Sequence, residues 1–129
     1  MDKSTRQKYK HIIHWTLKKL NVQRPYPTIT LSEDRQKARK GHHTGVNHLD
    51  DNTIWIYIGG RNMIDVCRTI IHELCHTRQH QLNMVKDGMS YPGSPIELLA
   101  DMTSGKYVKW YAKEHPEIFE AIKKNNKRI

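Results

Sequence analysis

His72-Glu73-Leu74-Cys75-His76 sets two imidazoles four residues apart with a carboxylate between them. On a helix, residues four apart lie about 40° apart around the axis and one turn up, so both rings can reach one metal ion. Glu73 then projects to the side of the metal, where it can hydrogen-bond a bound water and take its proton. The same five residues can also arise by accident, leaving two ordinary histidines on a helix surface. A catalytic zinc site needs a third protein ligand and an open position for water. His80 cannot supply that ligand, because a continuous helix rises about 12 Å from His72 to His80, against metal bonds of about 2.1 Å. The glycine that breaks the helix in the longer His-Glu-x-x-His-x-x-Gly-x-x-His pattern is Gln79 here, and the final histidine is Leu82.

Of six glutamates, only Glu97 has an aspartate four residues on, in Glu97-Leu98-Leu99-Ala100-Asp101. On a helix those two acids share a face. Glu97 can bind the metal while Asp101 accepts a hydrogen bond from the free nitrogen of a ligand histidine and fixes its tautomer. Ser94-Pro95-Ile96-Glu97 also fits a capping box, with Glu97 at the third helical position. His-Glu-x-x-His twenty-one residues upstream favours the ligand role. For Asp101 the alternative is an ordinary surface acid.

Together these two segments resemble the gluzincin zinc metallopeptidases, whose signature is His-Glu-x-x-His and then Glu-x-x-x-Asp on a second helix. The short chain looks most like the single-domain minigluzincins and related small peptidase-like proteins of phages and bacteria. The resemblance covers residues about 52–112. It implies a zincin-like α+β domain over residues 1–129, with Zn2+ on His72, His76 and Glu97, Glu73 as general base and Asp101 behind a histidine. It also implies that the strand at 53–58 is the sheet edge that binds the substrate backbone, a role suited to strand addition. Gluzincins supply a Tyr, His or Arg to the oxyanion. Tyr107, Tyr91, Tyr111, His80 and His115 are candidates, and none stands out.

The activity expected is a zinc-dependent endopeptidase acting on a peptide or protein. Two alternatives stand beside it: a metal-binding regulatory or scaffold protein without turnover, and a nucleic-acid-associated protease of the SprT-like kind or a repressor-cleaving one. SprT-like proteins usually take a histidine as third ligand, and no histidine lies between His80 and His115.

The elements that must position these groups follow from periodicity and punctuation. Tyr9, Ile12, Ile13, Leu17 and Leu20 recur at helical spacing over residues 3–20, and Pro25 and Pro27 stop that helix. Residues 28–31 read as a strand, residues 45–49 as a second, Asp50-Asp51-Asn52 as a turn and 53–58 as the strongest strand. In that strand Ile54, Ile56 and Ile58 share one face, and Thr53, Trp55 and Tyr57 the other. Trp55 and Tyr57 either line the cleft or pack under the first helix.

Asn62 caps a helix running to about residue 83, with Ile64, Cys67, Ile71, Leu74 and Cys75 on its core face and the two histidines off it, beside Asp65 and Thr69. After a loop at 84–93, Ser94-Pro95 opens a helix to about Glu114. A short C-terminal helix then buries Ile118, Phe119 and Ile122. Helix, small sheet, then helices is an α+β order.

The 129 residues suit one domain. The longest unbroken apolar run, Ile54 to Ile58, is far short of the ~20 residues that a membrane span requires. Residues 1–10 lack the apolar core of a secretory signal. Cys67 and Cys75 lie about 12 Å apart along one helix, too far for a disulfide, and reduced thiols without a signal suit the cytoplasm. Nothing calls for more than a monomer.

The net charge of +9 is uneven: +7 over residues 1–50, −2 over 51–101 and +4 over 102–129. A solvated surface accounts for this; nucleic acid is the other partner it would suit. The densest run, Arg35-Gln36-Lys37-Ala38-Arg39-Lys40, carries no interleaved aromatics for base stacking, so as a nucleic-acid signal it is weak.

Overall fold

A computed structural model describes residues 1–41, 43–85 and 93–119. Helix α1 (Lys3–Lys19) starts where the Asp2 carboxylate accepts a hydrogen bond from the Thr5 amide at 2.7 Å. Its buried stripe is Tyr9, Ile12, Trp15, Thr16 and Leu17, with Ile13 and Leu20 half-buried beside it.

Strand β1 (Thr28–Ser32), the short helix α2 (Arg35–Gly41), strand β2 (Gly45–His48) and strand β3 (Thr53–Tyr57) follow. The fold is α+β with a mixed three-stranded sheet among the described residues. The strand order is β1-β3-β2, with β3 parallel to β1 and antiparallel to β2.

The expectation that residues 53–58 form a sheet edge is therefore wrong: β3 is the central strand. The reason is burial. Ile54, Trp55 and Ile56 are all buried, and a strand covered on both faces gains most where both of its edges are also paired. The shorter, more polar β2 and the partly exposed β1 take the edges. Asn52, at φ 55, makes the expected turn between β2 and β3 in a conformation that asparagine tolerates. Helix α2 stands where the sequence showed only a basic connection. It buries no residue, so it leaves no apolar period to read.

Helix α3 (Met63–Gln81) begins where the Asn62 side chain accepts from the Ile64 amide at 2.9 Å. Val66, Cys67, Ile70, Ile71, Leu74 and Cys75 meet α1 and the inner face of the sheet, where Ile54 and Ile56 form the centre of the core. Ile64, expected on that face, is 42% exposed, because it lies one turn beyond the end of the covered stripe. Both cysteines are free and buried.

Helix α4 (Pro95–Glu114) starts at Ser94, whose hydroxyl accepts from the Glu97 amide at 3.4 Å, with Pro95 in the first turn. Residues 116–119 are helical again and bury Ile118 and Phe119. Ile122, expected beside them, lies outside the described residues. Among the described residues no helix is long and apolar enough to cross a membrane.

Candidate metal centre

His72, Glu73 and His76 project from α3, and Glu97 and Asp101 from α4, into one cleft of about 940 Å³. Nε2 of His72 lies 3.1 Å from Nε2 of His76. Each also approaches the Glu97 carboxylate, His72 at 3.3 Å and His76 at 3.0 Å. The capping-box geometry is half made: Ser94 caps the Glu97 amide, while the Glu97 side chain turns towards the histidines instead of back to the cap.

The outer nitrogens fix which tautomer each neutral ring takes. His72 Nδ1 lies 3.0 Å from Asp101 Oδ1, a carboxylate oxygen that only accepts. His76 Nδ1 lies 2.8 Å from Gln79 Oε1. That oxygen is identified by the other end of the amide, whose Nε2 donates to the Ile96 carbonyl at 3.0 Å. Both Nδ1 atoms are therefore donors, and in the neutral rings both Nε2 atoms are bare lone pairs. In that neutral form two lone pairs and a carboxylate converge, an arrangement that favours a cation at its centre. His72, His76 and Glu97 could hold one metal ion.

Burial pushes the His72 imidazolium below its usual pKa, and neighbouring His76 adds to this against the pull of Glu97 and Asp101. Glu73 is 8% exposed, and burial first, then the Glu97 charge, raise its carboxyl to about 8. A cation among the ligands would favour its ionised form.

Edge strand β2 forms another wall. A Cβ on Gly45 would lie 2.6 Å from Thr69 Cγ2 and 3.1 Å from the Glu73 side chain, so only glycine lets the strand come this close. Asn47 ties the strand to the helix, donating to the Glu73 carbonyl at 2.8 Å and to Thr77 Oγ1 at 2.7 Å. At the N-terminal end of α3, Arg61 lines the cleft and donates to the Tyr57 carbonyl and Thr69 Oγ1, both at 2.7 Å.

The aromatic and histidine candidates for an oxyanion donor fall elsewhere. Tyr107 packs on Trp15 and Trp110. Tyr111 is buried, its hydroxyl 2.7 Å from His11 Nδ1. His80 is exposed, and His115 meets His11 edge to face. None of these four lines the cleft, and Tyr91 lies outside the described residues. Among the described residues the guanidinium side chains that do line it are Arg61 and Arg68, with the His43 ring also on its wall, and the sequence singled out none of the three. Gln79 was passed over as well, although its place three residues after His76 is a side-chain pairing distance on a helix. Trp55 does not line this cleft; it lies on the outer face of the sheet, away from α1. Compared with known proteins, the chain matches no family model, no curated protein and no solved structure.

Proposed function

We propose that this chain is a zinc-dependent endopeptidase of the gluzincin, zincin-like type, with His72, His76 and Glu97 as ligands and Glu73 as general base. The observation that carries the reading is the convergence of His72 Nε2, His76 Nε2 and the Glu97 carboxylate, each histidine held from behind by Asp101 or Gln79. Four-coordinate zinc with bonds of about 2.0–2.1 Å keeps its ligand atoms about 3.3 Å apart. The two Nε2 atoms here lie 3.1 Å apart, and one ligand atom from each of His72, His76 and Glu97 lies within 4.8 Å of the others. A bound zinc would polarise the scissile carbonyl and lower the pKa of a coordinated water to about 7.

Glu73 takes a proton from the attacking water and passes it to the leaving amine nitrogen. Its burial suits both halves of that task, since a carboxyl held near neutral pH can accept and then release. An extended substrate pairs with the free edge of β2, which runs along the cleft through residues 45–47. Arg61 and Arg68 offer the positive charge that a developing oxyanion needs.

The test is zinc content by elemental analysis after dialysis, followed by cleavage of a mixed peptide library. Wild type should hold about one zinc per chain, and Glu97→Ala should lose it. Glu73→Gln should keep the zinc and lose cleavage by about a hundredfold or more. No zinc in reloaded wild type would end this reading. Zinc without cleavage of any peptide would favour a metal-dependent regulatory or scaffold protein, which the placement of Tyr107, Tyr111, His80 and His115 outside the cleft also suits.

A further inference from the structure

The cleft continues past the metal trio towards the N-terminal end of α3, where its walls carry two guanidiniums. Arg61 stands in the turn between β3 and α3, and Arg68 lies one helical turn before His72. Arg61 is half-buried and fixed. Its Nη1 donates to the Tyr57 carbonyl at 2.7 Å, and its Nη2 to Thr69 Oγ1 at 2.7 Å and the Asp65 carbonyl at 3.3 Å. All three acceptors are neutral oxygens, and a guanidinium has more N–H groups than they use. Arg68 is exposed and rests against α4, with its Nη2 3.6 Å from where a Cβ on Gly105 would stand. Among the described residues neither arginine forms an ion pair. Asp65 acts on Arg61 only through space, and its own side chain is exposed. A half-buried guanidinium stays charged, and without a counter-ion it gains most from an anion brought to it.

Gly45 of β2 marks the level of the reacting centre, since a Cβ there would lie 3.1 Å from the Glu73 carboxylate. Arg61 is tied to Thr69, one turn before Glu73 and about 6 Å away along α3. It is tied also to the start of β2, because the Tyr57 whose carbonyl it holds donates its amide to the Thr44 carbonyl at 2.9 Å. An extended peptide on the edge of β2 covers about 6 Å in about two residues. We propose that Arg61 and Arg68 take a carboxylate of the substrate about two residues from the scissile bond, either an acidic side chain or the peptide's own C-terminus. This rests on the peptidase reading and divides the work of the arginines. Their field reaches the oxyanion, while their N–H groups are left for a substrate group further along. Arg61 supplies a preset fork for the carboxylate, and exposed Arg68 can turn to it. A polyanion suits the cleft less well, since Glu73, Glu97 and Asp101 line its other end.

The experiment is a fluorescence-anisotropy titration of labelled degenerate octapeptide pools with Glu73→Gln protein, with and without zinc. It requires neither the metal nor turnover. Paired pools fix Glu or Gln at each position in turn with an amidated C-terminus, and one further pair compares free and amidated C-termini. A charge-assisted contact to guanidinium should make the Glu pool bind about tenfold more tightly at one position, or give the free C-terminus that advantage. Arg61→Met should bring the ratio below about threefold and leave binding of the Gln pools within about twofold. Arg61 also braces β3 against α3, so exposed Arg68 supplies a second variant. Arg68→Glu should cut the ratio by about threefold or more. Equal binding of acidic and amide pools at every position and at the C-terminus would overturn the proposal, as would an acid preference that both variants retain. An acid preference in protein that never takes up zinc would uphold this site and remove the peptidase. Cleavage without any acid preference would do the reverse.

Discussion

The two histidines of the proposed metal site are held from behind by different chemistry, a carboxylate for His72 and a neutral amide for His76. The amide has no alternate use for its oxygen, because its nitrogen is committed to the Ile96 carbonyl. Gln79→Leu keeps the volume but removes the acceptor, and it frees the His76 ring to choose the tautomer that faces the metal with N–H. Metal affinity should fall by about 10–100-fold, measured by competition with a chromophoric chelator. Gln79→Glu, which retains an acceptor, should fall less. Equal affinities for wild type and Gln79→Leu would remove Gln79 from the site. Individual ligand candidates were readable from the sequence because His72, Glu73, His76, Glu97 and Asp101 are related by helical periods within two short segments. Gln79 obeyed the same rule at one further step. Gly45, Asn47 and Arg61 did not, since each acts on α3 from a part of the chain that no period connects to it.

Edge strand β2 and helix α3 lie closer than a strand and a helix with ordinary side chains could. Gly45→Ala places a methyl against Thr69 Cγ2 and beside Glu73, and either the strand or the carboxylate must move. The substitution should destabilise the protein by about 1–3 kcal/mol in chemical denaturation. Thr69→Ser removes the opposing methyl and keeps the hydroxyl that Arg61 uses, so the double variant should recover at least half of that loss. Strictly additive effects would mean that the contact is not what excludes a side chain at position 45. Elements were legible where they carry an apolar period, as α1, α3 and β3 do. Helix α2 was not, having only solvated positions. The place of β3 was misjudged because strand order is decided by which strand must be covered on every side, and that is a comparison among strands, not a property of one.

Glu73 also makes metal-free stability depend on pH, a property of the molecule as a whole. Its carboxyl is raised from 4.5 to about 8 on folding, so the folded state binds the proton more tightly. The resulting stability is complete below about pH 4.5 and is lost as pH rises through 8. His72, lowered on folding, acts in the opposite sense around its usual 6.5, so the contribution is best read by difference. In zinc-free protein, Glu73→Gln should melt above wild type by a gap that widens by roughly 5 °C or more from pH 5 to pH 8. A constant gap would place the Glu73 carboxyl in water. The α+β class was legible from the order of elements, but the joining of α1 to the last turns of α4 was not. Trp15 Nε1 donates to Glu114 at 2.9 Å and His11 meets the Tyr111 hydroxyl, across 99 and 100 residues of chain. During synthesis at about 5–20 residues per second, α1 therefore waits at least about five seconds for the helix that covers its tryptophan. Over the same interval the two histidines leave the ribosome without Glu97. A ribosome that stalls in between would expose an uncovered tryptophan and half of the proposed metal site, the kind of surface that chaperones bind.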